Sequence, residues 1–313
     1  MLSNFIIALE AVLPMFILMA IGAAVKEKKL MDPPEIKKMN HMVFVVFFPA
    51  MMFHSLYGKD LAEAFNGKLL AFGVVSVLVI YAVSMAAAFV TTKNSKSRGA
   101  MIQGLYRSNF VIMGLPIAAN LLGRENLGVT AVMVAVIVPL YNVMAVITLE
   151  VFRGGKPSLR ETVKKVVTNP LILGAAAGLI TVVFRMRLPE VLEEVISDMA
   201  AVTTPLALII LGASIDFKEM GSSGKNLMVC VIGRLVVIPA IGLWAAALCG
   251  FRGIEFVTLL AMFASPAAVS SFTMAQSMES DAQLAGGIVI FTTAFASFTM
   301  FLWIFLFKNL GMF

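Results

Sequence analysis

Charged residues are scarce in this chain. They make up 13% of its 313 residues, whereas hydrophobic residues make up 60%, and a soluble domain carries about 25% charged residues. No soluble fold of this length can bury so much apolar surface, so the bilayer must be the solvent for much of the chain. Short loops between evenly spread apolar runs indicate one membrane domain rather than two or three soluble ones.

Residues for metal, disulfide or catalytic chemistry are equally few. Cys230 and Cys249 lie in or near one apolar run, so they cannot form a disulfide framework, and a metal site needs more Cys or His nearby. The histidines are His41 and His54, of which His54 is either a proton relay or a structural residue. The chain has no phosphate-binding glycine loop, HExxH motif or nucleophile elbow. We therefore predict no enzyme activity and no cofactor, and a gradient as the driving force, with H⁺ and Na⁺ both open as coupling ions.

The apolar runs predict the architecture. A membrane-spanning helix needs about 20 mostly apolar residues, and ten stretches of the chain qualify. We predict an all-helical integral membrane protein with spans at about 4–25, 36–57, 68–91, 99–121, 127–152, 166–184, 192–214, 226–249, 254–276 and 283–307. The fourth and ninth spans are irregular, because Pro116 and Pro266 lie within them among small or polar residues.

Basic residues are distributed unequally between the two sides of this predicted bundle. Fifteen Lys and Arg residues fall in the loops that follow the odd-numbered spans, and about seven fall on the opposite side. Short loops rich in Lys and Arg stay in the cytoplasm. We therefore predict a multi-pass protein of the cell membrane with both termini on the non-cytoplasmic side. The net charge is +6, but the chain lacks the basic stripe with interleaved aromatics that nucleic-acid binding requires. No nucleic-acid partner is therefore expected.

An internal repeat divides the chain into residues 1–152 and 153–313. A shift of 156 residues superimposes five pairs of Pro, Gly or Asp residues, and a shift of 150 pairs Pro116 with Pro266. Since each half has five spans, an odd number, the second half must be inverted relative to the first, and paired broken helices mark the substrate site of many secondary transporters. The five pairs are Pro14 with Pro170, Gly22 with Gly178, Pro33 with Pro189, Pro49 with Pro205, and Asp60 with Asp216.

Span four carries the first group of candidate binding residues: Arg107, Asn109 and Gly114 ahead of Pro116. A proline removes a backbone donor and disrupts the turn before it, which predicts free carbonyls just before Pro116 and free amides in the following half-helix. A helix N-terminus of this kind favours an anionic group. The alternative is a simple kink that neighbouring helices satisfy, but the paired kink at Pro266 favours the ligand site.

Span nine carries the second group of candidates. Ser265, Ser270, Ser271 and Gln276 supply neutral hydrogen-bonding groups around Pro266. Small residues and serines are also ordinary packing residues between membrane helices, so for Ser270 and Ser271 the binding and packing interpretations both stay open.

The remaining candidates are polar residues inside or at the ends of spans. A membrane-embedded cation is costly and usually faces a cavity or a partner, so Arg107 is expected either to bind a carboxylate bidentately or to snorkel to the cytoplasmic surface. Arg234 is interpreted as structural, and Asn142 is expected to line the same cavity. Glu10 and Glu150 lie toward helix ends, at the interface. Because no carboxylate lies near the middle of any span, an anionic substrate is favoured over a buried proton-exchanging acid.

Two motifs resemble the auxin efflux carrier family, which includes the plant PIN proteins and bacterial permeases for small organic acids. Span two matches the pattern of Asn, eight residues, Pro, three residues, Phe-His. Span four matches the pattern Asn-x-x-x-x-Gly-x-Pro, span nine is a looser match, and the resemblance covers essentially the whole chain. The matching residues are Asn40, Pro49, Phe53 and His54; Asn109, Gly114 and Pro116; and Pro266, Phe272 and Ala275.

The resemblance implies a fold like that of sodium/proton antiporters and bile-acid symporters. It implies a scaffold of spans 1, 2, 6 and 7 that forms a homodimer, and a transport domain of spans 3–5 and 8–10 that moves as an elevator. It also implies that Asn109, Pro116 and Pro266 belong to the crossing of two broken helices. Gln276 and Ala267 replace a Lys and a Gln of plant members, which argues against auxin as the substrate.

These observations predict a secondary active or facilitative transporter of small organic anions, mono- or dicarboxylates such as malate or malonate. The carboxylate is expected where spans four and nine cross, held by Asn109 and backbone amides, with Ser270 or Ser271 and Arg107 assisting. One alternative is a sodium-coupled symporter of bile-acid type. An alternative of another class is a membrane receptor or sensor without net transport.

Overall fold

A computed structural model describes residues 2–58, 66–123, 126–154, 159–215 and 224–313, with the backbone alone at residues 2–11 and 159. Several residues that enter the predictions above lie outside this part of the chain. They are Asp60 and Asp216 of the repeat pairs, four of the basic residues counted for the orientation (Lys59, Arg124, Lys156 and Lys218), and the side chain of Glu10.

The described part of the chain is helical, apart from its connecting loops and one isolated β-bridge. Fifteen α-helices are interrupted by three short π-helical segments, Val43–Phe47, Phe110–Gly114 and Gly233–Val237. The α-helices are α1 (Leu2–Glu27), α2 (Pro33–Met42), α3 (Phe48–Leu56), α4 (Gly67–Thr91), α5 (Ser95–Tyr106), α6 (Leu115–Leu122), α7 (Gly128–Val151), α8 (Leu159–Val167), α9 (Pro170–Val183), α10 (Glu190–Ser214), α11 (Gly224–Ile232), α12 (Ile238–Leu248), α13 (Gly253–Ala264), α14 (Ser270–Ser277) and α15 (Ala282–Asn309).

Six helical stretches of the described chain are long and apolar enough to cross a membrane, or seven if the bent pair α8 and α9 is one span. The six fall on predicted spans two, three, five, seven, eight and ten, and the bent pair falls on span six. Spans four and nine contain the short apolar helices Phe110–Leu122 and Gly253–Ala264, and α1 covers span one. An integral membrane protein is therefore confirmed, while the count of ten spans stays a prediction.

Each π-helical segment is followed by a proline at the second position of the next helix. The prolines are Pro49, Pro116 and Pro239. In each case the residue just before the proline donates its amide to the carbonyl five residues back, for example Leu115 to Phe110. A proline cannot donate and its ring crowds the preceding turn, so the chain widens by one residue and stays helical.

Two close helix crossings rest on glycines. A Cβ at Gly22 of α1 would lie 1.9 Å from the carbonyl oxygen of Ile209 in α10, and a Cβ at Gly178 of α9 would lie 2.9 Å from that of Phe53 in α3. Small residues allow membrane helices to approach this closely. Both pairs of partners, Gly22 with Gly178 and Phe53 with Ile209, are 156 residues apart in sequence.

The broken spans lie in the middle of the molecule. Every residue of α5 from Gly99 to Tyr106 is buried, and so is every residue of α13 from Phe256 to Ala264. By contrast, α4 exposes much of its apolar surface, including Val79, Val83 and Val90, as expected for a lipid-facing helix. The core of the protein therefore surrounds the places where the two broken spans lose helical structure.

Candidate functional site

The two broken spans cross through a short stretch of extended chain. Helix α5 ends at Tyr106 and α13 ends at Ala264, and an isolated antiparallel bridge joins Ser108 to Ala267. Its hydrogen bonds run from the Asn109 amide to the Pro266 carbonyl (2.8 Å) and from the Ala268 amide to the Arg107 carbonyl (3.3 Å). Each break thus satisfies backbone groups of the other, as buried backbone in a membrane requires.

The position of the first break differs from the sequence prediction. We expected free carbonyls just before Pro116, but the chain there is continuously helical, because the π-helical segment absorbs the proline. The extended residues lie farther upstream, at Arg107–Asn109. The second break contains Pro266 itself. The proline pair therefore identified the correct spans but placed the first break about two turns too late.

A cavity of about 410 Å³ lies against this crossing. Most of its wall is apolar, and the N-terminal ends of two half-helices, at Phe110 and Ser270, reach it. Since a helix N-terminus carries a partial positive charge, both ends favour an anion. The described lining residues are Phe48, Met51, Met52, His54, Ser55, Arg107, Ser108, Asn109, Phe110, Val111, Ile112, Leu115, Ala131, Val134, Val138, Tyr141, Asn142, Ser197, Ala200, Ala201, Thr204, Ala207, Ala268, Val269 and Ser270.

Arg107 is the one lysine or arginine among the described lining residues. Its side chain is buried rather than snorkelling, with 3% of its surface exposed. The guanidinium donates to the Met274 thioether (2.9 Å), to the Ser270 hydroxyl (2.8 Å) and to the Asn142 side-chain oxygen. No carboxylate of the described residues forms an ion pair with it. Its acceptors are neutral, so a carboxylate in the cavity is a stronger acceptor than any of them.

Asn109 adds an unused donor to the same wall. Its backbone is fully engaged, since the amide donates to Pro266 and the carbonyl accepts from Met113 (3.1 Å) and Gly114 (3.3 Å). The side-chain nitrogen is buried and has no hydrogen-bond partner among the described residues. Leaving a buried donor unpaired costs about 1–3 kcal/mol, so the site gains when a ligand supplies an acceptor.

Arg234 lies on another side of the crossing and does not line the cavity. Its guanidinium donates to the carbonyls of Leu105 (3.2 Å), Met262 (3.1 Å), Phe263 (3.0 Å) and Ser265 (2.9 Å). These carbonyls end α5 and α13, so one side chain caps both half-helices. Our interpretation of Arg234 as structural is consistent with these contacts.

The structure brings four of the ten candidate residues to the cavity: Arg107, Asn109, Asn142 and Ser270. The other six do not line it. Gly114 lies where the two broken spans touch, because a Cβ there would be 2.9 Å from the Ala261 carbonyl. Pro116 is exposed and Pro266 is buried within the bridge.

Besides Pro266, three of those six candidates lie on span nine, away from the cavity. The Ser265 hydroxyl donates to the Ala261 carbonyl (2.6 Å). The Ser271 carbonyl accepts from the Gln103 side chain (2.9 Å), while the Ser271 hydroxyl and the Gln276 side-chain oxygen are buried without a partner among the described residues. Of the serine pair, the structure therefore places Ser270 and not Ser271 in the cavity.

Sequence reasoning missed part of the cavity wall. Ser197 and Thr204 of α10 line it, although nothing in their own sequence context distinguishes them from packing residues. A second cavity of about 400 Å³ shares His54 and Ser197 with the first and is bordered by Glu190, Glu193 and Glu194. The shared residues place the two cavities side by side, with an acidic rim where α10 begins. Glu193 and Glu194 follow Glu190 by three and four residues, just ahead of an apolar run, and this pattern in the sequence could have indicated an acidic helix end.

Comparisons with known proteins identify the family of the chain. The sequence profile of the family described as membrane transport protein matches residues 7–161 and 156–304. The chain is also similar to a protein of Methanocaldococcus jannaschii named an uncharacterized transporter, with 23% identity over 307 residues, which cover 95% of this chain and 98% of the relative. A protein of Methanothermobacter thermautotrophicus with the same description is 22% identical over 300 residues, which cover 94% of this chain and 96% of the relative.

The motifs of spans two and four, the apolar helices and these matches agree with one another. The chain belongs to the membrane transport protein family, the auxin efflux carrier type of transporter that its motifs resemble, and it is a transporter rather than an enzyme.

Proposed function

We propose that this chain is a secondary active or facilitative carrier of small organic anions, mono- or dicarboxylates such as malate or malonate. One observation carries the proposal: a cavity is lined by a buried arginine that has no acidic partner among the described residues. The Arg107 guanidinium, the free Asn109 side-chain nitrogen and two half-helix N-termini all reach this cavity. Each of these groups stabilises negative charge.

The wall of the cavity constrains the rest of the substrate. A single guanidinium pairs with one carboxylate, and the remaining surface is formed largely by apolar side chains such as Phe48, Met51 and Val138. A second charged carboxylate would have to stay hydrated or be held by neutral groups such as Ser197 and Thr204. A monocarboxylate therefore leaves no second charge to accommodate, whereas malonate and malate place their second carboxylate against these neutral groups.

The inverted repeat and the elevator movement belong to the same proposal. The equal 156-residue offset between the partners of Gly22 and Gly178 supports a pair of inverted halves. In this arrangement α1, α2–α3, α9 and α10 form the scaffold, and the crossing with the cavity moves past them. We include a homodimer through the scaffold helices, which intersubunit cross-linking in the membrane tests.

The decisive experiment for the substrate is a thermal-shift screen of the purified protein. Ligands that bind only the native state raise its apparent stability. We expect malonate, malate and short monocarboxylates to raise the Tm, and their neutral amides to leave it unchanged. A panel in which amides act as well as acids would exclude the anion site.

Uptake into proteoliposomes tests the site itself. Asn109→Ala removes the unpaired donor and breaks no side-chain hydrogen bond within the described part of the chain, so the protein should fold and uptake should be abolished. Asn126→Ala is the matched control, because the Asn126 side chain only caps the Leu122 carbonyl at the surface. Normal uptake by Asn109→Ala would exclude the proposed site.

The proposed orientation, with both termini on the non-cytoplasmic side, has an internal reporter. Cys249 is exposed and Cys230 is buried, and Cys249 lies on the side that we predict to be non-cytoplasmic. An impermeant thiol reagent should therefore label the wild-type protein in right-side-out vesicles. A cysteine introduced at Lys28, in a Cys249→Ser background, should resist labelling; the opposite pattern would invert the orientation.

A further inference from the structure

Arg234 joins the two broken spans in a way that packing alone does not require. Its guanidinium binds one carbonyl at the end of α5 and three at the end of α13, and 1% of its surface is exposed. No carboxylate of the described residues pairs with it. The charge of Arg234 therefore faces only the two C-terminal helix ends.

The charge of the Arg234 guanidinium balances the partial charges at the C-terminal ends of α5 and α13. Each helix C-terminus carries roughly half a unit of negative charge, so two of them together carry about one unit. One guanidinium supplies one positive charge. Helix α4, which the predicted repeat pairs with the α11–α12 span that holds Arg234, has no cation after Lys68 at its start. Within the described chain, a single side chain thus neutralises both ends of the crossing.

In transporters with discontinuous helices, unwound carbonyls and half-helix C-termini are the groups that coordinate a coupling cation. Here the Arg234 guanidinium already donates hydrogen bonds to those carbonyls. We propose that Arg234 is a built-in cation of the crossing, a positioning residue that substitutes for a bound Na⁺ and makes transport independent of sodium. This inference rests on the proposed function, because it states that anion transport by that carrier is not coupled to sodium.

The other face of the crossing fits this assignment. The N-terminal half-helix ends at Phe110 and Ser270 keep their positive character toward the cavity, where Arg107 adds to it. Because Arg234 cancels the negative ends, the anion that enters the cavity meets a net positive field without any mobile cation. The first consequence is that sodium has no site to fill at the carbonyls that Arg234 holds.

This consequence can be tested on the wild-type protein, so the result does not depend on whether a variant folds. The Tm of the purified protein and the rate of malonate uptake in proteoliposomes are measured in sodium chloride and in choline chloride at equal ionic strength. We expect the same Tm and the same rate in both salts. A Tm raised by sodium, or uptake that requires it, would overturn the proposal.

A variant tests whether Arg234 occupies a cation position. Arg234→Ala should lower the malonate uptake rate by more than about tenfold, since several hydrogen bonds to a charged group are lost. Guanidinium or sodium ions at low millimolar concentration should raise the Tm and uptake of this variant relative to choline. A purely structural arginine predicts no response to sodium, so absence of any response to either ion in a folded variant would contradict the assignment. Arg234→Lys should retain more uptake than Arg234→Ala, because it keeps the charge.

Arg252→Ala is the matched control. The Arg252 guanidinium also binds backbone carbonyls, those of Ala247 (2.9 Å) and Phe251 (2.7 Å), but at a helix end away from the crossing. This variant should show no sodium or guanidinium response. If wild-type protein fails to take up malonate or any acid of the panel, the proposed function fails, whereas the cation dependence of the Tm still decides the role of Arg234.

Discussion

Two buried arginines lie on different sides of one helix crossing, and their surroundings differ in kind. Arg234 has four backbone carbonyls as acceptors. Arg107 has a thioether, a hydroxyl and an amide oxygen, and it borders a cavity. A buried cation whose hydrogen bonds are all accepted by backbone carbonyls stabilises the fold. A buried cation whose acceptors are neutral side chains beside a cavity can exchange them for a ligand carboxylate.

The largest difference between the two arginines is expected when each charge is removed in turn. Arg107→Gln should weaken carboxylate binding by about a hundredfold or more, since each hydrogen bond to a charged group contributes about 1.5–3 kcal/mol. It should change the Tm little. Arg234→Gln should instead lower the Tm strongly, because it leaves buried carbonyls unpaired at about 1–3 kcal/mol each. Thermal melts with and without ligand measure both effects, and equal Tm losses in the two variants would remove the contrast.

A smaller effect is expected at the contact between the two broken spans. In Gly114→Ala, the added Cβ would lie 2.7 Å from the Phe110 ring and 2.9 Å from the Ala261 carbonyl. Overpacking of this kind costs about 1–3 kcal/mol, so the variant should unfold at a lower temperature and transport more slowly. Gly224→Ala is the control, because nothing lies within 4 Å of a Cβ there. An unchanged Tm for Gly114→Ala would show that the crossing is loosely packed.

Ser270 and Ser271 are neighbours in sequence, but only Ser270 contacts Arg107. Ser270→Ala removes an acceptor of Arg107 (2.8 Å) and should weaken carboxylate binding severalfold, in keeping with about 0.5–1.5 kcal/mol for one hydrogen bond. Ser271→Ala removes a buried hydroxyl that has no partner among the described residues, so binding and Tm should be unchanged or slightly improved. Isothermal titration of both variants with the same acid measures the difference; equal losses would contradict the geometry.

Arg153 provides the reference case of an arginine paired with acids at the surface. Its guanidinium donates to Glu279 (2.7 Å), and this hydrogen bond holds the pKa of the Glu279 carboxyl below its ordinary value. The stabilisation is therefore present above that ordinary pKa and is lost as the pH falls through the lowered one. Since both groups are partly exposed, the effect should stay below about 1 kcal/mol and shrink in high salt. Melts of wild type and Glu279→Gln should differ slightly at neutral pH and converge in acid; a gap that persists in acid would contradict the pairing.

Much of the architecture was predictable because hydropathy acts locally. The apolar runs placed the membrane helices, and the paired prolines identified the two broken spans. The position of the first break was not predictable, since a π-helical turn absorbs Pro116 and the extended residues lie at Arg107–Asn109. That outcome depends on hydrogen bonds between residues about 160 positions apart, as in the bond from Asn109 to Pro266.

In the candidate site, too, some residues were predictable from the sequence and others were not. Arg107, Asn109, Asn142 and Ser270 were found from sequence because polar groups inside apolar runs are few and costly. Gly114 and Ser265 were included with them, but they pack at the crossing rather than line the cavity. Pro116 was also included, but it is exposed and does not line the cavity. Thr204 and Ser197 were missed, because a single hydroxyl in a membrane helix bonds equally well to its own backbone or to a ligand.

From the sequence alone it follows that this is a membrane protein, that two of its spans are broken, and that a few polar side chains within the spans need partners. Composition and helical length decide those points, because the cost of placing polar groups in lipid does not depend on the rest of the fold. The acceptors of the two arginines, backbone carbonyls for Arg234 and neutral side chains beside a cavity for Arg107, are set by the tertiary structure. Sequence shows that a cation is buried, but its role depends on acceptors that other helices bring within 3 Å or so of it.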